Sequence, residues 1–449
     1  MPSASTKRPG LVRRINGAFR AGPLAVRDFR LLSFGQLAST VGDFCYAVAL
    51  PWLVLSTHGG PVLLGTVLAC YGVPRTVLIP VGGVLADRLS PRAVMLAADA
   101  VRCVLVALLA YFAAGGHDSL AFLGPVAALI GAGEGMFLPA SAAIMPSLLP
   151  AESLQAGNGL SAAMIQIGSF AGPVLGGILV TTTKSSAAAF AVDAASFAIS
   201  AAALALMRRR PARAAAPEAA FSAGSESAGT PSARTSAAAT EETSIVRFFL
   251  HARVLQVIVL IAVLANFVIA GAFDVALPAL AHARYAATGY GVLIASFGVG
   301  SLIGTLAAAR LGSLRRPAMA ACAAFLAGGV ALSVLPFLGG LPGAAAAAAA
   351  FGGLGNFGNV IIITLLQQWA PAHLLGRVMS VVMLASIGAF PASAALSGLL
   401  VHKLGPTPFF PAAGAVLAVT ILLAATQSQF RRFGAAPAPT SAQAAVVAR

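Results

Sequence analysis

The sequence has very little charge. Only 9% of its 449 residues are Asp, Glu, Lys or Arg, and just 13 residues are acidic. A water-soluble protein of this length needs a far more charged surface. Instead, 59% of the residues are hydrophobic, and long apolar stretches recur along the whole chain. The composition therefore excludes an ordinary soluble protein and predicts one whose surroundings are lipid.

Cysteine is scarce, and the residues that usually bind metals do not cluster in the sequence. The four cysteines lie inside apolar segments, where they are typical of small hydrophobic residues rather than of disulfides or ligands. The six histidines fall in loops or at span ends without ligand spacing, so we expect no metal and no cofactor. The sequence also lacks a nucleotide-binding loop, a nucleophile–base pair and a Ser–His arrangement, which argues against an enzyme.

Basic residues outnumber acidic ones and give a net charge of +15. They cluster at the ends of apolar segments and do not alternate with aromatic residues, so we expect no nucleic-acid partner. With the N-terminus in the cytoplasm, 23 of the 28 Lys and Arg residues fall in cytoplasmic segments. This asymmetry predicts a multi-pass membrane protein with both termini on the cytoplasmic side.

Twelve apolar segments are long enough to cross a ~30 Å hydrocarbon core. We therefore predict an all-α membrane protein whose twelve transmembrane helices form two six-helix halves. The predicted spans are residues 31–56, 62–86, 92–114, 120–146, 154–181, 186–207, 253–280, 288–310, 317–338, 342–369, 375–401 and 407–427. The predicted regions are a basic cytoplasmic N-terminal arm (1–30), an N-terminal six-helix half (31–207), a flexible cytoplasmic linker (208–250), a C-terminal six-helix half (251–428) and a disordered cytoplasmic tail (429–449).

A short charged turn, GGVLADRLSPR at residues 82–92, joins the second and third spans. It resembles the signature loop of the major facilitator superfamily, although Ser90 stands where that family usually has glycine. The resemblance implies a transporter with the major facilitator fold. It also implies a gating role, in which Asp87 contacts a helix N-terminus of the opposite half and favours the outward-open state. A loop that only fixes topology is the alternative.

This predicted gating loop contains Gly83, Asp87, Arg88 and Arg92. Asp99 and Arg102 follow on span three, three residues apart, so they can pair on one helix face. We expect this pair near the inner end of the span, as part of the same inner-face network as the loop.

Span five carries small residues at fixed spacing, which are Gly159, Gly168, Gly172, Pro173, Gly176 and Gly177. The pattern resembles the antiporter motif of exporter branches of the superfamily. Small residues let helices approach closely, and proline bends a helix. The resemblance implies an exporter whose bent fifth helix prevents ion leak. Ordinary small-residue packing is the alternative.

Shorter motifs, among them FLPA at 137–140 and LGRVMS at 375–380, resemble one bacterial branch of the superfamily. That branch includes macrolide efflux proteins and the enterobactin exporter. The resemblance covers nearly all of residues 27–430 apart from the linker. It implies a protein of a bacterial cytoplasmic membrane.

Three charged residues are predicted near the middle of the membrane: Asp43 on span one, Arg75 on span two and Glu134 on span four. An ionised group at that depth is costly, so each needs a partner, water or a function. We expect Arg75 to pair with one carboxylate while the other carries a proton, with Glu134 favoured over Asp43 as the carrier. A static ion pair that fixes the register of the helices is the alternative.

Other polar residues are predicted within spans. Asp193 and Asp274 are expected in the outer thirds of spans six and seven, as wetted structural acids or as part of an outer vestibule. Asn266, Asn356 and Asn359 are candidates for lining a substrate cavity or bonding across helices. A cavity with few charges suits bulky amphipathic substrates.

The sequence therefore predicts a secondary active transporter that exports a hydrophobic or amphipathic small molecule, such as a drug, a macrolide-like compound or a siderophore. Without a nucleotide-binding motif, its energy must come from an ion gradient, and we expect proton antiport with alternating access. Its partners are then a small-molecule substrate, protons and the lipid bilayer, and we expect a monomer. A proton-coupled uptake permease for a small nutrient is the alternative.

Overall fold

The computed structural model of the chain describes residues 22–56, 59–115, 120–208, 253–310, 316–370, 375–427 and 430. Most of the predicted N-terminal arm, linker and C-terminal tail lies outside the described residues. The assignments of those three regions therefore stay predictions.

Twelve long helices account for almost all of the described chain, and no strand occurs in it. They are α1 (Arg27–Ser56), α2 (Gly60–Arg88), α3 (Pro91–Gly115), α4 (Leu120–Leu148), α5 (Ala151–Thr183), α6 (Ala187–Leu206), α7 (Arg253–Ala270, continued by a π-helical turn at Gly271–Ala276 and by Leu277–Arg284), α8 (Ala286–Arg310), α9 (Pro317–Val334), α10 (Gly340–Trp369), α11 (Leu375–Leu404) and α12 (Pro406–Thr426). Short 3₁₀ turns at Pro23–Ala25 and Leu335–Phe337 precede α1 and follow α9.

All twelve helices are long and apolar enough to cross a membrane. The shortest, α6, has 20 residues, which gives a length of about 30 Å at ~1.5 Å per residue. Large apolar side chains such as Val104, Tyr111 and Leu423 are exposed on the surface of the helices, as expected where lipid replaces water. The predicted all-α membrane protein with twelve spans is confirmed.

The described chain forms two compact units. Among the described residues, the first contains 22–56, 59, 67–115, 120–208 and 286–291, and the second contains 60–66, 253–285, 292–310, 316–370, 375–427 and 430. The first turns of α2 (60–66) group with the second unit, and the first turns of α8 (286–291) group with the first.

In the first unit, α1 packs along both α5 and α6, while α3 packs along α4 and α6. An apolar core at the Asp87 end holds these helices together, and it includes the fully buried Phe29, Met95 and Ala140. Lipid is as apolar as these side chains, so close packing rather than removal from water stabilises the helix contacts.

In the second unit, α9 packs along α10 and α12, and α11 packs along α7. The π-helical turn in α7 holds Phe273, whose ring lies 4.5 Å from the ring of Phe297 and 5.6 Å from that of Phe351, centroid to centroid. A π turn is rare and often occurs at functional positions. Here it joins α7 to an aromatic cluster with α8 and α10.

Candidate transport site

Arg75 and Glu134 form an ion pair in the middle of the first unit. The Nη2 atom of Arg75 lies 3.1 Å from Oε1 of Glu134, and each side chain is about a quarter exposed (23% and 24%). Glu134 is 14 residues from either end of α4, which places it about 21 Å from each end at ~1.5 Å per residue. The pair therefore occupies the depth at which ionised groups are most costly in a membrane.

Glycine positions this ion pair by letting α2 and α4 approach. A Cβ atom on Gly135 would lie only 3.1 Å from the Cα atom of Arg75. The backbone of α4 thus packs directly on that of α2 beside the two charged residues. The guanidinium group of Arg75 also lies 5.8 Å from the ring centroid of Tyr71, in a cation–π arrangement.

Asp99 and Arg102 pair on α3, but they do not lie where the sequence suggested. Nη2 of Arg102 donates a hydrogen bond to Asp99, and the hydroxyl of Ser200 on α6 donates a second one at 2.6 Å. The guanidinium group is held between the rings of Phe137 and Phe197, at 4.6 and 4.4 Å from their centroids. Both charged side chains are almost fully buried, at 0% and 3% exposure.

The placement of this pair in an inner-face network with the Asp87 loop is therefore corrected. Arg102 is the twelfth residue of the 25-residue helix α3, so it lies near the middle of the span. Its partners come from α4 and α6 because its helix face points into the unit rather than toward the loop.

Asp193 is buried, whereas the sequence suggested a wetted acid. Its side chain is 1% exposed, and one carboxylate oxygen accepts a hydrogen bond of 3.3 Å from Ser196. The carboxylate lies against Gly42 of α1, and it interacts electrostatically with Asp43 and Arg102. Asp193 is therefore part of the buried interior and not of a wetted vestibule.

Asp43 faces the other charged groups from α1. Its side chain is exposed. Ser39, one turn earlier on α1, is within hydrogen-bonding reach of the carboxylate. The carboxylate interacts electrostatically with Arg102, Asp99 and Arg75. Neither Asp43 nor Asp193 has an ion pair with any residue in the described part of the chain.

These residues form one charged cluster with four carboxylates and two guanidinium groups, which are Asp43, Asp99, Glu134, Asp193, Arg75 and Arg102. The two salt bridges use both guanidinium groups. If every carboxylate were ionised, two negative charges would stay uncompensated at membrane depth. That is costly, so the cluster is suited to binding protons or a cation.

Tyr46 is a member of this environment that the sequence analysis missed. Its buried hydroxyl has no hydrogen-bond partner among the described residues, and it interacts electrostatically with Asp193, Glu134 and Asp43. Tyr46 follows Asp43 by three residues, so the two share a face of α1. That spacing is a signal that the sequence did carry.

The predicted gating loop is a tight junction between α2 and α3. Asp87 and Arg88 are exposed. The hydroxyl of Ser90 accepts a 3.2 Å hydrogen bond from the backbone N–H of Ala93, and Pro91 begins α3. Ser90 and Pro91 thus form a helix N-terminus of a common kind, which explains the departure from the family glycine.

Arg92 in this loop has a structural contact inside the first unit. Its Nε and Nη2 atoms donate hydrogen bonds of 2.6 and 2.9 Å to the backbone carbonyls of Leu204 and Ala205. These carbonyls lie at the C-terminal end of α6, where a cation is favourable. Gly83 lies 3.9 Å from Pro139 of α4, measured from an added Cβ, so its face of α2 meets α4.

The span-five motif lies mainly against α1. Added Cβ atoms on three of its glycines would run into Thr40, Phe44 and Cys45 of α1; these glycines are Gly168, Gly172 and Gly176. The thiol of Cys45 donates a hydrogen bond to the carbonyl of Gly172 at 3.2 Å. Gly159 faces open space. The structure therefore gives packing roles to part of the motif.

Two further motif residues lie against the start of α8, which belongs to the first unit. An added Cβ on Gly177 would lie 2.7 Å from the carbonyl oxygen of Ala287. The carbonyl of Pro173 lies close to Gly291. The hydroxyl of Thr288 donates a 2.6 Å hydrogen bond to that of Thr181 on α5.

The three asparagines proposed from the sequence lie together in the second unit. Asn266 of α7 and Asn356 and Asn359 of α10 line one cavity of about 210 Å³. The amide nitrogen of Asn266 donates a 2.8 Å hydrogen bond to the carbonyl of Ala262. Asp274 is half-buried in the π-helical turn of α7.

The amino-acid sequence matches a known protein family and several named relatives. Residues 32–338 match the Major Facilitator Superfamily. The multidrug efflux pump Tap of Mycolicibacterium fortuitum is 26% identical over 397 residues, covering 86% of this chain and 91% of that protein. Tap of Mycobacterium tuberculosis (strain ATCC 25618 / H37Rv) is 26% identical over 418 residues, covering 91% and 95%.

Solved transporters share the fold at low sequence identity. The nucleoside transporter NupG has a TM-score of 0.68 at 11% identity, covering 88% of this chain and 99% of that one. A D-xylose–proton symporter has a TM-score of 0.65 at 14% identity, covering 91% and 96%. Given the twelve spans and a family match over residues 32–338, this chain belongs to the Major Facilitator Superfamily and is a multi-pass membrane transporter rather than an enzyme.

Proposed function

We propose that this transporter exports a hydrophobic or amphipathic small molecule in exchange for protons. The observation that carries the proposal is the charged cluster at membrane depth. It has four carboxylates but only two guanidinium groups, each of which pairs with one carboxylate. A cluster with surplus carboxylates can bind and release protons as pairings change. Its location is then the cytoplasmic membrane of a bacterium, with both termini in the cytoplasm.

The pairing of Arg75 favours Asp43 as the proton carrier. Arg75 is paired with Glu134 at 3.1 Å, whereas Asp43 has no ion pair with a described residue and is exposed on the unit surface. Transfer of Arg75 from Glu134 to Asp43 would expel a proton from Asp43, and the return of Arg75 to Glu134 would let Asp43 take up the next one. Asp43 thus alternates between a protonated and an ionised state, and Asp193, Asp99, Arg102 and Tyr46 set the local field.

The direction of transport rests on the named relatives. Proteins that align over most of their length with this chain are called multidrug efflux pumps. The span-five motif supports the same direction by resemblance. Uptake transporters among the solved structures are below 25% identical and share the fold, so they carry no weight about direction.

Proton antiport in inside-out membrane vesicles tests the proposal. The vesicles are energised, their internal acidity is followed with a pH-quenched dye, and macrolides, lipophilic cations and catecholate siderophores are added in turn. Export corresponds to uptake into these vesicles in exchange for internal protons, so dequenching by one compound class is expected. Dequenching no larger than in empty-vector vesicles, across the whole panel, would reject proton-coupled export of these classes.

Variants of the cluster separate the carrier from its partners. Asp43→Asn is expected to abolish substrate-induced dequenching, and Glu134→Gln to reduce it strongly, with normal membrane levels in both cases. Glu152→Gln is the matched control, because Glu152 is an exposed acid in the first turn of α5. Full antiport in Asp43→Asn would reject Asp43 as the carrier.

A further inference from the structure

The second unit contains a cavity, and none of the residues that line it belongs to the charged cluster. It lies among α7 to α12 and has a volume of about 210 Å³. All of its lining residues belong to the second unit. For comparison, an apolar cavity of ~150 Å³ accommodates benzene. The volume therefore fits one or two aromatic rings, but not a whole drug-sized molecule, which needs ~300 Å³ or more.

Phenylalanine rings give this cavity a fixed aromatic lining. Phe297, Phe325 and Phe351 line it, and the centroids of Phe297 and Phe351 are 6.0 Å apart. Phe273, on the π-helical turn, packs behind Phe297 and Phe351. Rings at such separations favour offset or edge-to-face contacts with a further ring. The lining is thus suited to an aromatic occupant.

The polar side chains that line the cavity are three neutral amides and the hydroxyl of Ser386. Asn266 uses its amide nitrogen on the backbone of α7, which leaves its carbonyl oxygen to accept a hydrogen bond. The structure gives Asn356 and Asn359 no side-chain hydrogen bond with any described residue, and both line the cavity. Asn356 is half-buried and Asn359 is exposed, so both amides are free to hydrogen-bond a molecule in the cavity.

No charged side chain lines the cavity within the described part of the chain. An ionised ligand group would therefore lack a counter-charge in an apolar environment, which is strongly unfavourable. Asparagine amides offer both donors and acceptors. They match an amide, ketone or hydroxyl group on an otherwise apolar molecule.

We infer that this cavity binds a neutral aromatic group of one or two rings that carries a hydrogen-bonding substituent, either as a whole small molecule or as the neutral part of a larger substrate. That the cavity binds such a group is argued from its lining alone. That the bound group is a transported substrate rests on the proposed export function. It names the substrate class: neutral aromatic amphipaths are recognised in the second unit, while charge is handled by the first.

Photolabelling with benzophenone tests the binding site. The full-length protein in nanodiscs is irradiated with benzophenone, a neutral two-ring ketone, and labelled peptides are mapped by mass spectrometry. Label on the cavity face of α10 around Gly355 is expected to exceed label at Leu422 and Leu423, which are exposed large hydrophobic residues of α12 and report lipid background. Equal labelling at both places would overturn the inference.

A pair of glycine variants provides a matched control. Gly355 lines the cavity, Gly388 of α11 does not, and an added Cβ meets nothing within 4 Å at either position. Gly355→Leu fills the cavity and is expected to lower α10 labelling by about tenfold, whereas Gly388→Leu leaves it unchanged. Unchanged labelling in a folded Gly355→Leu protein would overturn the proposed site.

Competition by size-matched naphthalenes tests the neutral class. We expect 2-naphthamide to displace benzophenone label at concentrations at least about tenfold lower than 2-naphthoate or 2-naphthylmethylammonium. Equal displacement by either charged compound would overturn the assignment to neutral ligands. In an Asn356→Leu/Asn359→Leu protein, which keeps the rings, 2-naphthamide is expected to lose its advantage over naphthalene, and a retained advantage would contradict the role of the amides.

The vesicle assay distinguishes failure of this inference from failure of the proposed function. Specific labelling without proton antiport would support the binding site and reject export. Antiport with labelling at lipid background would reject the binding site and leave export standing.

Discussion

Asp193 of α6 lies directly against Gly42 of α1. A Cβ atom on Gly42 would come within 2.5 Å of a carboxylate oxygen of Asp193 and 2.7 Å of the Cβ atom of Ser196. Side chains do not pack that closely, so the glycine is what allows the two helices to meet. The carboxylate of Asp193 also interacts electrostatically with Asp43, the next residue of α1.

Gly42→Ala is therefore expected to force α1 and α6 apart. Overpacking of this kind costs about 1–3 kcal/mol, and it should also weaken proton antiport, because Asp193 moves away from Asp43. Thermal unfolding of the purified protein and the vesicle assay measure the two effects. Gly388→Ala is the control, since an added Cβ there meets nothing within 4 Å. Equal stability of the two variants would contradict the prediction.

The span-five motif can be divided by substitution. Gly172→Ala is expected to lower stability and raise passive proton leak, because an added Cβ would lie 2.6 Å from the carbonyl oxygen of Val41 on α1. Gly159→Ala should change neither, since Gly159 faces open space. The rate at which a pH gradient decays in vesicles, without substrate, measures the leak. A leak of the same size in both variants would show that packing on α1 does not control it.

Arg102 is expected to resist replacement by lysine. A Lys ammonium keeps the charge but cannot stack flat between Phe137 and Phe197, so Arg102→Lys should cost about 1–3 kcal/mol. Arg75→Lys is the comparison, because Arg75 is about a quarter exposed and its guanidinium group lies farther from its aromatic neighbour, at 5.8 Å from the ring centroid of Tyr71. Thermal unfolding should show the larger loss for Arg102→Lys. The reverse order would mean that the two aromatic contacts do not hold the guanidinium group.

Arg92→Gln is expected to destabilise the first unit by about 1–2 kcal/mol, because it removes charged donors from the C-terminal carbonyls of α6. Arg88→Gln, at an exposed residue of the same loop, should leave stability within about 0.5 kcal/mol of wild type. Unfolding midpoints in detergent measure both. If transport falls in Arg88→Gln without loss of stability, the gating function implied by the family resemblance gains support.

The sequence correctly predicted the elements of the fold. Twelve apolar stretches became twelve helices, with ends within a few residues of prediction, such as 31–56 against Arg27–Ser56. Such agreement has a simple cause: in lipid the backbone must satisfy its own hydrogen bonds, so a long apolar stretch is almost obliged to be a helix. The π-helical turn of α7 was missed, since its residues fit an ordinary α-helical pattern equally well.

The sequence predicted a common membrane depth for Asp43, Arg75 and Glu134, because depth follows from counting residues along a helix. It identified Asp43, Arg75 and Glu134 as neighbours in the membrane, and it left open which carboxylate pairs with Arg75. The structure pairs Arg75 with Glu134. Counting along a helix gives no information about the rotation of one helix relative to the next, and rotation decides which side chains touch.

Unknown helix rotation also explains why the sequence did not predict the burial of Asp193 and of the Asp99–Arg102 pair, or the lining of the cavity. Asp193 and the Asp99–Arg102 pair lie in the interior because their faces of α6 and α3 turn inward. The three asparagines share a cavity only because α7 and α10 present them to the same space. The sequence by itself determined a twelve-helix membrane transporter, since apolar length and lipid physics suffice for that. Tertiary structure alone decided which carboxylate pairs with Arg75 and how the cavity is lined, because both depend on helix rotation and close glycine-mediated approach.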